Sequence, residues 1–93
     1  MFAIARFRVS EEAVTTFLGS LEAAHQALVA CEGYISGRIG SNTDEPGLIA
    51  MVTEWRNIGS YRRALSNYQV KLVAVPILAQ AIDEPGGYIE SDE

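Results

Sequence analysis

Residues 34–55 read YISGRIGSNTDEPGLIAMVTEW. Two strand-like runs, Tyr34–Ser41 and Leu48–Trp55, flank Asn42-Thr43-Asp44-Glu45-Pro46-Gly47. Asn and Asp bond their own backbone in turns, Pro presets φ, and Gly relieves steric limits, so the hexapeptide reverses the chain. The stretch is therefore predicted to be a β-hairpin. In its first strand Tyr34, Ser36, Arg38 and Gly40 alternate with Ile35, Gly37 and Ile39, which is expected to put Tyr34 and Arg38 on one face.

Toward the N-terminus, Phe2–Val9 reads as a strand, apolar on both faces at its start as a central strand requires. Phe7 and Val9 share one face, and Phe2, Ile4, Arg6 and Arg8 the other. Ser10 is expected to cap a helix from Glu11 to Cys31, with Glu11 and Glu12 at the positive end of its dipole. Val14, Phe17, Leu18, Leu21, Leu28 and Val29 form its apolar stripe, and Gly33 ends it. Toward the C-terminus, Asn57 is a cap for a helix through Leu65. Ser66-Asn67 interrupts it, and a second helical stretch runs to Ile82, with Val70, Val73, Ile77, Leu78 and Ala81 on one stripe. Pro76 kinks that stretch or starts its last turns. Asp83–Gly87 reads as a loop, Tyr88–Glu90 as a last strand, and residues 89–93 as a short acidic tail. Asp-Glu-Pro-Gly occurs at 44–47 and again at 83–86, before strands that are not equivalent in order, so it is recurrent turn chemistry and not a duplication.

The order β-α-β-β-α-β implies a ferredoxin-like α+β domain, an antiparallel sheet with helices on one face. The chain has 93 residues, one domain's worth, spanning 1–93. A domain of this size has a thin core, and the sheet's second face needs a cover, so a homodimer is expected. The net charge is −5, which disfavours nucleic acid and anionic membrane surfaces as partners. Arg62-Arg63 is the only local basic cluster and reads as a solvated face. A single cysteine, Cys31, permits no intrachain disulfide and offers no zinc spacing; it reads as a small core filler. No membrane-length apolar run and no signal-peptide pattern is present, so a cytoplasmic protein is expected.

The run VTEWRNIGSYRRAL, Val52 to Leu65, resembles the signature of the antibiotic biosynthesis monooxygenase (ABM) family: a strand ending in Trp55, a helix cap at Asn57 and an aromatic at Tyr61. The Gly33-Tyr34 step into the second strand is also similar. The resemblance implies a dimeric α+β barrel and a pocket in each subunit between sheet and helices. It also implies oxygenase chemistry without metal or flavin, O2 being the co-substrate and no cofactor being needed. In that cofactor-free branch a Trp, a Tyr six residues later and an Asn four residues earlier line the pocket. Trp55 and Tyr61 match, Met51 stands in place of the Asn, and Lys71 is the cation nearest to a family Arg in the second helix. The haem-degrading branch is excluded, since its second Trp falls on Ala64 and no His follows His25.

The candidate catalytic residues are His25, Tyr61 and Trp55. Trp55 is either a platform on which an aromatic substrate stacks or a core residue at the strand–helix corner. Tyr61 either hydrogen-bonds a substrate oxyanion or packs on the sheet with its hydroxyl in water. His25 lies within the apolar stripe; it is either a satisfied core histidine or the base that deprotonates a phenol. Met51, Tyr34, Arg38, Tyr68 and Lys71 are the candidate pocket residues, with packing as the alternative for Tyr68. The expected activity is oxygenation of a small phenol, quinol or polyketide-like aromatic; the alternative is a non-catalytic dimer that binds a small apolar ligand or serves another enzyme. His25 and Tyr61 converging on one cavity would favour catalysis.

Overall fold

Glycine at position 33 adopts φ +91°, and its carbonyl accepts a hydrogen bond from the Arg56 N–H at 2.8 Å. This tie fixes the start of the predicted hairpin against the end of its second strand. In the computed structural model, which describes residues 1–91, the elements are β1 (Phe2–Arg8), α1 (Val14–Val29), β2 (Tyr34–Ser41), β3 (Leu48–Trp55), α2 (Ile58–Leu65), α3 (Tyr68–Val73), α4 (Val75–Leu78) and β4 (Gly87–Tyr88). The sheet is four-stranded in the order β2-β3-β1-β4, and every neighbouring pair is antiparallel. The fold is thus the α+β ferredoxin-like arrangement expected from the order of elements.

Alternation sorts the sheet into two faces. Ala3 and Phe7 of β1 and Ile49, Met51, Thr53 and Trp55 of β3 are buried on the helix side. They pack with Phe17, Leu21, Ala24 and Leu28 of α1 and with Ala64, Val70 and Ala74. The opposite face carries Phe2, Ile4, Arg6 and Arg8 across from Glu54, Val52, Ala50 and Leu48. None of these is fully buried within the single chain.

Three details depart from the sequence reading: the Ser10 cap, the burial of Val29 and the length of the last strand. Ser10 makes no side-chain cap; a 3-10 turn, Glu11–Ala13, opens the first helix, with the Ala13 N–H bonded to the Ser10 carbonyl at 3.0 Å. Val29, assigned to the buried stripe, is 39% exposed because the helix ends there. The last helical stretch divides at Ala74 as expected, since Pro76 has no N–H to offer the carbonyl one turn back and instead starts the last turns, in α4. The last strand spans only Gly87–Tyr88; Glu90 beyond it bonds the Met1 amino group at 2.7 Å, and residues 92 and 93 of the acidic tail lie outside the described residues. Asn57 caps α2 as expected, accepting the Ser60 N–H at 2.8 Å.

The second strand holds the main correction. Tyr34 pairs with Trp55, but Ser36 pairs with Glu54, so Ile35 is an extra residue, a β-bulge. The bulge shifts the alternation by one. Tyr34 therefore joins Trp55 on the helix face, whereas Ser36, Arg38 and Gly40 join Glu54, Val52 and Ala50 on the open face. Tyr34 and Arg38 do not share a face.

Candidate functional site

Trp55 ends β3 at the corner where the chain turns into α2, and it is only 1% exposed. Its Nε1–H donates to the Thr53 Oγ1 at 2.9 Å, which satisfies the only polar atom of the indole. Tyr34 meets the ring edge-on at a centroid distance of 5.4 Å, and Tyr61 meets it at 5.6 Å with the planes tilted by 56°. Both separations are those of favourable aromatic pairs. Tyr61 reaches the ring from the first turn of α2, which the Asn57 cap holds in place.

On the sheet side of the helices, Tyr61 lines a cavity with Ala3, Ile4, Ala5, Leu28, Met51, Thr53 and Leu78. Its volume is about 20 Å³, room for one water and not for an aromatic ring. The lining is apolar apart from Thr53 and Tyr61. Thr53 is engaged by Trp55, whereas the Tyr61 hydroxyl makes no hydrogen bond among the described residues. Burial pushes the Tyr61 phenol above its ordinary pKa, so it stays a neutral O–H donor across the physiological range.

His25 does not line this cavity; its ring contact is with Tyr34. It is 8% exposed, and its Nε2 stands 2.8 Å from the Tyr34 hydroxyl. The Glu22 carboxylate, one helical turn earlier, is 3.7 Å from Nδ1. That carboxylate favours a proton on Nδ1, which leaves Nε2 to accept from the Tyr34 O–H. Desolvation first, and the Glu22 charge second, raise the Tyr34 pKa. The pair lies across Gly37, where a β-carbon would come within 2.7 Å of both Nε2 and the Tyr34 oxygen.

The structure thus brings Tyr61 and Met51 to one cavity, sets Tyr61 and Tyr34 against the Trp55 ring, and joins His25 to Tyr34. It does not bring the other candidates there. Arg38 is on the open face of the sheet, Tyr68 is 75% exposed on the outer surface, and Lys71 is exposed beside it. Thr53 and Glu22 were not singled out from the sequence, although the spacings offer a signal: Thr53 is two residues from Trp55 on the same strand face, and Glu22 is three residues from His25 on the helix. Among the described residues no group of three or more His, Cys, Asp or Glu side chains could hold a metal ion. No helix is long and apolar enough to cross a membrane among those residues.

Comparison with known proteins follows the same lines. The family model described as antibiotic biosynthesis monooxygenase matches residues 1–73. Among solved structures, SnoaB, a cofactor-independent oxygenase from Streptomyces nogalater, superposes with a TM-score of 0.81 at 16% identity, over 99% of this chain and 92% of that one. A conserved protein from Methanosarcina mazei Go1 superposes with a TM-score of 0.74 at 21% identity, over 92% and 84% of the two chains. Rv0793 from Mycobacterium tuberculosis gives 0.75 at 17% identity, over 99% and 95%. At such identities the likeness is one of fold. No curated protein matches the chain in sequence.

Proposed function

Because the chain belongs to the antibiotic biosynthesis monooxygenase family, we propose that it oxygenates a small electron-rich phenol or quinol without a cofactor, as a homodimer. The observation that carries this reading is Tyr61, which lines an apolar cavity, packs on the Trp55 ring and bears a phenol that burial keeps neutral. A phenol that has lost its proton is electron-rich enough to reduce O2. The oxyanion needs a donor in a dry site, and Tyr61 supplies it. One oxygen atom becomes a new ring carbonyl. The other leaves as water with the phenolic hydrogen and the hydrogen of the attacked carbon, so the substrate gives O2 four electrons. SnoaB, described as a cofactor-independent oxygenase, shares the fold and supports the class of reaction.

The cavity must widen before a ring enters. Leu78 stands on α4, the shortest helix of the lining, and is only partly buried, so its displacement is the proposed way in. His25 takes no direct part, because it does not face the cavity.

The test is O2 uptake by the purified protein with a panel of quinols, anthrones and naphthols and no added cofactor. Uptake matched by equimolar quinone is expected. Tyr61→Phe should lower turnover by about 100-fold, the usual loss of one oxyanion donor. A second reading, a non-catalytic binder, is favoured by the small cavity and by the position of His25. Saturable quenching of Trp55 fluorescence by these compounds without O2 uptake would establish that reading and end the oxygenase one; Trp55 is the sole tryptophan, so the signal has one source.

A further inference from the structure

Four rings stand in sequence from the cavity to the protein surface. Tyr61 lines the cavity, Trp55 follows at 5.6 Å, Tyr34 at a further 5.4 Å, and His25 at a further 5.8 Å. The row ends at Glu22, whose carboxylate is exposed. We propose that this row is a redox relay, in which Tyr34 gives up an electron through Trp55 toward the cavity and its phenolic proton to His25.

The chemistry of the members assigns their roles. An oxidised phenol is a strong acid, so a tyrosine loses an electron readily only when a base stands ready for its proton. Among the described residues Tyr34 alone of the four tyrosines meets that condition, its oxygen being 2.8 Å from the histidine nitrogen. Tyr88 donates to a backbone carbonyl, and the hydroxyls of Tyr61 and Tyr68 contact no base. Trp55 is bonded through its N–H to a threonine hydroxyl, which is no base, so an oxidised indole keeps its proton and passes the vacancy on. Tyr34 is where the vacancy comes to rest.

Two features of the backbone permit this contact. The bulge at Ile35 turns Tyr34 to the helix side, where it can meet both Trp55 and His25. Gly37 leaves open the space that a methyl group would take from both polar atoms. The Glu22 carboxylate stabilises the imidazolium that forms.

The step balances as follows. A one-electron oxidant at the cavity, an oxygen- or carbon-centred organic radical, takes one electron and becomes its anion. Tyr34 becomes a neutral phenoxyl radical, and its proton is held on His25 Nε2. The relay requires such a radical near Tyr61 but not the oxygenase reaction itself. It would move a stray radical out of the cavity to a half-buried residue that a reductant in solvent can reach.

The experiment uses the single tryptophan. A laser pulse photoionises Trp55 in the intact protein, an added scavenger removes the ejected electron, and transient absorption follows the indole radical. Its decay should be matched by growth of a tyrosyl radical. Tyr34→Phe should abolish that growth, and His25→Gln should slow it by about 100-fold, the scale of a lost proton acceptor. Tyr61→Phe should leave it unchanged, and heavy water should slow it in the unaltered protein, a readout that holds even if a variant fails to fold. Tyrosyl growth that survives Tyr34→Phe, or that disappears in Tyr61→Phe, overturns the proposal; so does indifference to both His25→Gln and heavy water.

Discussion

Trp55 bears on stability and on the site at once, and the two can be separated. The indole is nearly fully buried and touches Tyr34 and Tyr61 through their rings. Trp55→Ala is expected to destabilise the fold by about 3–5 kcal/mol, through lost transfer energy and the void left behind. Thr53→Val is close to isosteric but leaves the indole N–H unpaired in the core; about 1–3 kcal/mol is expected. Urea denaturation of both variants checks this. If Trp55→Ala is as stable as the parent yet no longer binds phenols, the residue belongs to the site alone. Legibility also differs from residue to residue. Trp55 and Tyr61 were readable because a strand end and a helix cap fix where they stand. The partner of His25 was not, since a tautomer and a 2.8 Å contact to Tyr34 depend on a bulge that no residue in IleSerGly announces.

At the scale of elements, the junction between α1 and β2 is the point on which the layers are indexed. Gly33 occupies positive φ, and a β-carbon there would run into the Ser60 Cβ and Oγ at the start of α2. Two separate penalties therefore meet at one position, backbone strain and collision. Gly33→Ala is expected to cost more than about 1 kcal/mol. Adding Ser60→Gly should recover only the part due to collision, and thermal unfolding of the single and double variants measures the division. Strands and the first two helices followed from periodicity, and α2 from its Asn57 cap as well. So did the division of the last helical stretch, where Pro76, with no N–H to offer, starts new turns after Ala74. The opening of the first helix did not, since a 3-10 turn and not the Ser10 side chain begins it.

For the whole molecule, the open sheet face carries the dimer proposal. Phe2, Ile4, Leu48, Ala50 and Val52 lie there without helix cover, with Tyr88 stacked on Phe2 at 5.3 Å. Arg6 is paired with Glu84 and Arg8 with Glu45, while Arg38 has no partner among the described residues. A second copy meeting this face would bury its apolar side chains, the cover proposed for it. The protein is therefore expected to sediment at twice its chain mass at micromolar concentration, and Val52→Asp should yield folded monomers; a monomeric parent would sink the dimer proposal. The need for a cover was legible in the element order, whereas the extent of the cavity was not, because void volume depends on rotamers that no pattern of residues encodes. The extra residue at Ile35 has a last implication, for inheritance. Without it, one strand would commit Tyr34 and Arg38 to the same neighbours, and a change suiting assembly would disturb the indole. With it, each side of β2 can drift under its own selection, so changes on the open face leave the packing around the indole undisturbed.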